Sequence, residues 1–85
     1  MFYVYLLRSM SDPTKLYTGF TTDLKSRLLA HNRGDSLHTA KFVPWEIETY
    51  LGFKNEQTAK EFESYLKSGS GQAFAIKRLR PKSLT

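Results

Sequence analysis

The sequence contains no cysteine, only three prolines and no long apolar run. Without cysteine the chain has no disulfide framework, no thiolate zinc site and no cysteine nucleophile. The apolar segment of residues 2–7 is far shorter than the roughly 20 residues that a membrane-spanning helix needs. This segment also lacks the charged flank and the small-residue cleavage site of a signal peptide. We therefore expect a soluble, cytoplasmic protein without a membrane partner.

The chain is short, with 85 residues and a mass of 9.8 kDa. A chain of this size buries only about 60–65% of its unfolded surface, which suffices for one hydrophobic core. The sequence therefore predicts a single domain over residues 1–85, with a core over residues 1–80 and a short C-terminal tail, 81–85.

Basic residues outnumber acidic residues by thirteen to eight, and the excess is unevenly distributed. Residues 1–45 carry six basic and three acidic groups, residues 46–63 carry two and five, and residues 64–85 carry five and none. A basic stretch beside an acidic segment is typical of a surface that binds phosphates with carboxylates nearby. A surface charge that only keeps the protein in solution is the alternative.

The first twenty residues have the pattern of a β-hairpin, with two apolar strands around a turn that contains Asp-Pro. We expect a pairing in which residue numbers sum to 22, so that Tyr5 lies opposite Tyr17 and Tyr3 opposite Gly19. A helix then begins at Thr21 or Thr22, which are good N-cap residues.

The rest of the chain predicts one more strand and two more helices, so that the chain has three helices in all. In the first helix, Arg27 and His31 lie at the edge of the stripe of apolar side chains that faces the core. Alternation over residues 45–51 predicts a strand with one inward-facing set of Trp45, Ile47, Thr49 and Leu51. Asn55 caps a second helix, whose buried arc includes Glu63. A basic third helix with Ala73, Ile76 and Leu79 follows Gly71 and runs until Pro81. The order ββαβαα indicates an α/β domain of the α+β type on a small, mainly antiparallel sheet.

Three polar side chains border positions that face the core, namely Arg27, His31 and Glu63. A carboxylate for a divalent ion, an arginine for a phosphate and tyrosines that accept a proton would suit phosphodiester hydrolysis. The alternative is structural: Arg27 and Glu63 pair at the rim or extend into water, and His31 is a capping or packing residue. The sequence lacks a Walker loop and the common hydrolase motifs. The residues alone indicate a phosphate-directed basic domain, with a metal-dependent nuclease as one interpretation.

The same residues stand in a familiar order. The tripeptides at residues 3–5 and 17–19, followed by Arg27, His31 and Glu63, resemble the motifs of the GIY-YIG nuclease family over roughly the whole chain. The end of the second helix and the Gly-Ser segment after it are similar to small, stand-alone bacterial members.

The resemblance implies a three-stranded antiparallel sheet flanked by helices, and hydrolysis of DNA with one divalent ion, Mg²⁺ or alternatively Mn²⁺. By position, Tyr17 would be the general base or its relay, and Tyr5 would orient water. Arg27 would hold the scissile phosphate, Glu63 would ligate the metal, and His31 would assist proton transfer or contact the phosphate.

The resulting hypothesis is a metal-dependent DNA endonuclease acting in DNA repair or recombination. The alternatives are a nucleic-acid-binding module or a protein-interaction module that keeps the fold with little or no activity. The DNA backbone would be bound by basic side chains, namely Arg27, Lys77, Arg78, Arg80 and Lys82. Larger family members carry an appended DNA-binding domain, so a partner protein or a second copy of the chain is expected to add affinity.

Two positions depart from the family pattern. Tyr3 stands where the first motif has glycine, and it is expected to narrow the groove approached by the DNA backbone. Phe20 stands where some members have lysine, so a cation that would lower the pKa of a tyrosine is expected to be missing.

Overall fold

The computed structural model describes residues 1–79 and shows one antiparallel three-stranded sheet with helices on both sides. The predicted α+β fold and the element order ββαβαα are confirmed. The strands lie in the order β2-β1-β3. The elements are β1 (Phe2–Ser9), β2 (Leu16–Thr21), α1 (Leu24–Asn32), a short 3-10 turn (Ala40–Phe42), β3 (Trp45–Phe53), α2 (Glu56–Lys67) and α3 (Gly69–Arg78). The predicted tail 81–85 lies outside the described residues.

The central strand β1 is buried on both faces because successive side chains of a strand point to opposite sides. Val4 and Leu6 pack with the residues of α2 and α3, and we call this side the α2 face. Tyr5 and Leu7 pack with Trp45 and with the apolar residues of α1, and we call this side the α1 face. No helix within residues 1–79 has the length and apolar character needed to cross a membrane.

The pairing of β1 with β2 differs from the expected register by two residues. Tyr5 lies opposite Gly19, and Tyr17 lies opposite Leu7, so paired residue numbers sum to 24 rather than 22. A glycine is required opposite Tyr5 because the aromatic ring crosses over that position. A shift of two residues keeps every side chain on its predicted face. Tyr5 and Tyr17 therefore share the α1 face, as an offset pair and not as direct partners.

A bulge divides the residues of β3 that were expected to face inward together. Leu7 pairs with Ile47 whereas Leu6 pairs with Thr49, so Glu48 is an extra residue in β3. The extra residue reverses the alternation of the strand. The set is therefore split, with Trp45 and Ile47 on the α1 face but Thr49 and Leu51 on the α2 face.

Short polar side chains define where the helices begin. Asp23, and not Thr21 or Thr22, caps α1 by accepting a hydrogen bond from the backbone N–H of Ser26 at 3.1 Å. Asn55 caps α2 as predicted, accepting from the backbone N–H of Thr58 at 2.9 Å.

The third helix begins three residues earlier than predicted, and its buried side is not the one that carries Ala73 and Ile76. Ser68 ends α2 and also caps α3, accepting from the backbone N–H of Gly71 at 3.1 Å. Gly71 and Ala75 are the buried residues of α3, whereas Ile76 is exposed. A Cβ at Gly71 would collide with the Tyr65 carbonyl, so the tight turn between the helices sets which stripe faces the core.

Candidate active site

The hydroxyl of Tyr5 lies at the centre of a hydrogen-bonded group on the α1 face. The Tyr5 side chain is buried, and its Oη accepts a hydrogen bond from the Nε–H of Arg27 at 3.3 Å. The same Oη lies 2.9 Å from Nε2 of His31. The structure thus brings together a motif tyrosine of β1 and two side chains of α1 that are one turn apart. This arrangement could hold a phosphate and move a proton near a single oxygen atom.

His31 is the buried residue of α1, with only 1% of its surface exposed, although its expected place was the edge of the apolar stripe. Its Nδ1 lies 2.9 Å from Oγ1 of Thr39, which is fully buried. Because the Tyr5 oxygen already accepts from Arg27, we assign the Tyr5 proton to the bond with Nε2. Nδ1 then carries the imidazole proton and donates to Thr39.

Thr39 is a site residue that sequence reasoning missed. It precedes the short 3-10 turn, and its carbonyl accepts from the indole Nε1–H of Trp45 at 2.9 Å. This bond ties the loop to the first residue of β3 and holds the hydroxyl under His31. The segment has no periodicity, so nothing in the sequence except a hydroxyl eight residues after His31 could have indicated this contact.

The local environment keeps Tyr5 and His31 uncharged. Burial raises the pKa of Tyr5, an effect that the Arg27 guanidinium opposes and that Tyr17 and Glu63 reinforce. Burial also lowers the pKa of His31, and the nearby positive charge of Arg27 lowers it further. Arg27 stays charged, since its hydrogen bond to Tyr5 raises its own pKa. A cation therefore lies beside a neutral phenol and a neutral imidazole.

Tyr17 joins the group through its ring and is more accessible than Tyr5. The ring centroids of Tyr17 and His31 are 5.0 Å apart, and those of Tyr17 and Tyr5 are 6.4 Å apart. Tyr17 is half-buried on β2, an outer strand of the sheet. It borders a groove of about 340 Å³ whose lining residues are Leu16, Tyr17, Thr18, Leu66, Lys67 and Gln72. Solvent can therefore reach Tyr17 from the edge of the sheet.

Gly19 gives the Tyr5 ring its space. A Cβ placed on Gly19 would overlap the Tyr5 hydroxyl and ring carbons. The glycine of the second motif therefore has a steric function that the expected register, with Tyr3 opposite it, did not show.

Glu63 lies on α2 and pairs with a lysine of the same helix, not with Arg27. Its carboxylate binds Nζ of Lys67 at 3.0 Å, one helical turn away, and its side chain is 22% exposed. The rim pair of Glu63 with Arg27 is wrong for the part of the chain that the structure describes, in which Arg27 bonds to Tyr5 and Glu63 bonds to Lys67. The charge of Glu63 still reaches the site, since it contributes to raising the pKa of Tyr5.

The side chains of the candidate site fit a metal ion that the protein holds through a single carboxylate. No group of three or more histidine, aspartate or glutamate side chains suited to a metal occurs in residues 1–79. Mg²⁺ commonly keeps several waters and is held by one or two carboxylates together with substrate phosphates. A single carboxylate such as Glu63 fits an ion of that kind, whose other ligands are water and substrate.

The basic residues predicted to bind DNA do not all lie together. Lys77 and Arg78 are exposed in the last turn of α3, which packs on the α2 face, whereas Arg27 belongs to the α1 face. The predictions for Arg80 and Lys82 fall outside the described residues.

Phe20, one of the two departures from the family pattern, does not face the tyrosine group. It pairs with Val4 and packs on the α2 face, with Nζ of Lys60 5.6 Å from its ring centroid. Tyr17 points to the α1 face, so a side chain at position 20 points away from Tyr17.

A guanidinium held against a buried tyrosine and a neutral histidine, beside a second tyrosine on a basic chain, is an arrangement that can bind a phosphate and transfer a proton. Comparison with known proteins shows the family of the chain. The family described as the GIY-YIG catalytic domain matches residues 1–77, and the chain belongs to the GIY-YIG family of nucleases. The match includes all five residues predicted to be catalytic, of which Glu63 is the last along the chain.

Two kinds of relatives are similar to the chain. A UPF0213 protein of Streptococcus agalactiae is 39% identical over 72 residues, which cover 84% of this chain and 80% of that protein. UPF0213 proteins of Streptococcus pyogenes are 38% identical over 66 residues, or 76% of this chain and 70% of theirs. A structure-specific endonuclease subunit SLX1 homolog of Drosophila mojavensis is 42% identical over 69 residues, 71% of this chain but 23% of its own length. The chain thus spans most of its streptococcal relatives and less than a quarter of the insect one.

Proposed function

We propose that this protein is a divalent-metal-dependent DNA endonuclease that hydrolyses phosphodiester bonds. The observation that carries the proposal is the bonded group of Arg27, Tyr5 and His31 beside Tyr17 on the α1 face. The family supports nuclease chemistry, and the name of the Drosophila relative, a structure-specific endonuclease subunit, supports endonucleolytic cleavage. A role in repair or recombination belongs to the same proposal.

Arg27 would bind the scissile phosphate. Its Nε–H is engaged by Tyr5, so the terminal Nη groups are the ones that would form the fork around two phosphate oxygens. The bond to Tyr5 restrains the guanidinium before substrate arrives. Charge that develops on the phosphate oxygens in the transition state would then meet a cation already in place.

The tyrosines and His31 would manage the proton of the attacking water. Tyr5 stays neutral and would orient the water, while the accessible Tyr17 would take its proton, as the base or as a relay. Neutral His31 can assist this transfer. The water oxygen forms a bond to phosphorus as the bond to the leaving DNA oxygen breaks. The proton of the water would pass through Tyr17 to bulk solvent, and the leaving oxygen would take up a proton from bulk solvent.

Glu63 would hold the divalent ion, Mg²⁺ or Mn²⁺, through its carboxylate. The ion, when bound, supplies Lewis-acid stabilisation of the phosphate charge. A Glu63 carboxylate that binds the ion must exchange its bond with Lys67, whose side chain is 54% exposed and free to turn into solvent.

Cleavage of defined DNA tests the proposal most directly. The purified protein is incubated with labelled single-stranded, duplex, flapped and branched DNA in Mg²⁺, Mn²⁺ or EDTA. We expect internal cleavage of at least one substrate with a metal ion and none in EDTA. Binding without cleavage of any substrate would overturn the nuclease and leave a nucleic-acid-binding module. A protein that neither binds nor cleaves any of these substrates would favour a protein-interaction module.

Replacing Glu63 with glutamine isolates the metal ligand. Glu63→Gln should abolish cleavage while the melting temperature changes little, because Lys67 is largely exposed and an ion pair between residues four apart on a helix contributes only about 0.3–0.5 kcal/mol. Glu56→Gln is the matched control, since Glu56 also pairs with a lysine four residues later, Lys60, at 3.4 Å. Addition of Mn²⁺ should raise the melting temperature of the parent and of Glu56→Gln, but not that of Glu63→Gln. Full cleavage by Glu63→Gln would remove the metal site from this residue.

A further inference from the structure

One end of the α1 face is open to solvent next to the Tyr5 group. Across the strands, Tyr50 of β3 is the direct partner of Tyr5, and Gly52 is the partner of Tyr3. All four positions therefore lie on the α1 face. Tyr5 is buried under α1, whereas Tyr50 is 55% exposed and Gly52 is exposed.

Tyr3 supports the exposed ring of Tyr50. The two ring centroids are 5.9 Å apart, with an angle of 71° between the planes, which is an edge-to-face contact. The Tyr3 ring reaches this place by lying against Gly52, where an added Cβ would come within 3.2 Å of Tyr3 Cε1. Tyr3 thus leans toward β3 and stabilises Tyr50 in a fixed, accessible position.

The position of Tyr50 relative to Arg27 indicates which kind of ligand could cover the exposed Tyr50 ring. Directly paired residues of antiparallel strands have Cβ atoms about 4.5–5.5 Å apart, so Tyr50 is the immediate neighbour of Tyr5. The Tyr5 hydroxyl in turn contacts Arg27, the proposed phosphate ligand. The Tyr5 ring extends over Gly19 of β2, so its hydroxyl and Tyr50 of β3 lie on opposite sides of β1, roughly 10 Å apart at two strand spacings of about 4.8 Å each. A nucleotide whose phosphate lies at Arg27 can therefore place its own base, or that of the adjacent nucleotide, over Tyr50 on the same face. The net charge of +5 favours such a polyanion over an apolar partner.

An aromatic ring beside a bound phosphate distinguishes paired from unpaired DNA. In a duplex both faces of a base are covered by its stacked neighbours, whereas an unpaired base can stack on an aromatic side chain. Such stacking tolerates any sequence, because every base has a π-face.

We propose that Tyr50, supported by Tyr3, stacks an unpaired base next to the scissile phosphate, so that the substrate is DNA with unpaired nucleotides at the cleavage site. The inference rests on the proposed nuclease function and adds its substrate class. Tyr50 is in this view a specificity-determining residue that takes no part in proton transfer.

Binding measured in EDTA tests the stacking without requiring cleavage. The probe is a single-stranded oligonucleotide containing 2-aminopurine, a base whose fluorescence is quenched by stacking, and the same oligonucleotide in a duplex is the reference. Loss of one aromatic stacking contact weakens single-strand binding by about 5- to 150-fold. We expect Tyr50→Ala to show this loss and to relieve the quenching, while its duplex affinity stays at the parental value.

Two further variants separate stacking from general damage. Tyr50→Phe keeps the ring and should keep both affinity and quenching. Tyr65→Ala removes a comparably exposed tyrosine that packs against Phe74 on the other side of the sheet, and it should bind like the parent.

The outcomes that contradict this inference differ from those that contradict the nuclease. Single-strand binding by Tyr50→Ala at the parental affinity, or an equal loss on duplex, would overturn the stacking site while metal-dependent cleavage still stood. Absence of cleavage on every DNA would overturn the nuclease, and the binding comparison would still decide the role of Tyr50. Parental cleavage that favours fully paired duplex would overturn the proposed substrate class.

Discussion

At the scale of single residues, the donor groups of Arg27 matter as much as its charge. Arg27→Lys keeps a cation but loses the Nε–H that binds Tyr5 and the fork that would bind two phosphate oxygens. We expect cleavage to fall much further than DNA affinity. Single-turnover cleavage and equilibrium binding, measured on the same substrate, check this prediction. Equal cleavage by Arg27→Lys and the parent would make Arg27 an ordinary rim residue.

Thr39 contributes to the candidate site only through a tertiary contact, the hydrogen bond between its hydroxyl and Nδ1 of His31. Thr39→Val keeps the shape of the side chain but leaves the Nδ1–H of His31 buried without an acceptor. Leaving a buried donor unsatisfied costs about 1–3 kcal/mol of the free energy of unfolding. We expect denaturant unfolding to show a loss of that size, and cleavage to fall because the imidazole is no longer held toward Tyr5.

Thr39→Ser is the control for this prediction, since it keeps the hydroxyl and loses only a methyl group. It should stay closer to the parent than Thr39→Val in both stability and cleavage. Equal behaviour of the valine variant and the parent would show that His31 is positioned without Thr39.

At the scale of elements, the pairing of β1 and β2 matters because it places a glycine under Tyr5. Gly19→Ala would drive a methyl group into the buried Tyr5 ring, and overpacking of this kind costs about 1–3 kcal/mol. We expect lower thermal stability together with loss of cleavage, because the Tyr5 hydroxyl moves away from Arg27 and His31.

Gly52→Ala provides a comparison on the other neighbouring strand. The nearest atom to its new methyl group is Cε1 of Tyr3 at 3.2 Å, and Gly52 lies at the exposed end of the face, where the neighbours can adjust. Its loss of stability should be smaller than that of Gly19→Ala. The reverse order would contradict the role assigned to the β1–β2 register.

The helices α1 and α2 differ in how well the apolar pattern of their own sequence predicts which residues are buried. In α2, the cap at Asn55 and the buried Ala59 and Leu66 follow the predicted apolar arc. In α1, the buried residue is the polar His31, while its leucines are only partly buried or exposed. The helix α1 therefore serves to present Arg27 and His31 to Tyr5, and its weak apolar pattern does not show this.

At the scale of the whole molecule, the net charge of +5 predicts DNA affinity that depends strongly on salt. Each phosphate neutralised contributes about −0.9 to the slope of log K against log salt concentration. The double variant Lys77→Gln/Arg78→Gln should reduce the magnitude of the slope by about 2 if the exposed end of α3 contacts the backbone. Fluorescence anisotropy over a series of salt concentrations measures this slope.

A second double variant distinguishes local contacts from the general field. Lys15→Gln/Lys41→Gln removes the same net charge from exposed residues outside the proposed site. An equal change in slope for both pairs would mean that α3 is no more a DNA contact than the rest of the basic surface. A partner protein or a second copy that adds affinity stays a prediction.

The sequence by itself determined the element order, the fold, the capping of α2 and the family, because these depend on local pattern and on residues at fixed spacing. It also indicated Tyr5, Tyr17, Arg27, His31 and Glu63 as the candidate site. Only the tertiary structure decided how these residues meet. Strand register, the bulge in β3 and the start of α3 depend on side chains distant along the chain, such as the Tyr5 ring over Gly19. The bond between His31 and Thr39, and the open position of Tyr50 beside Tyr5, exist for the same reason: packing brings together residues that no local period relates.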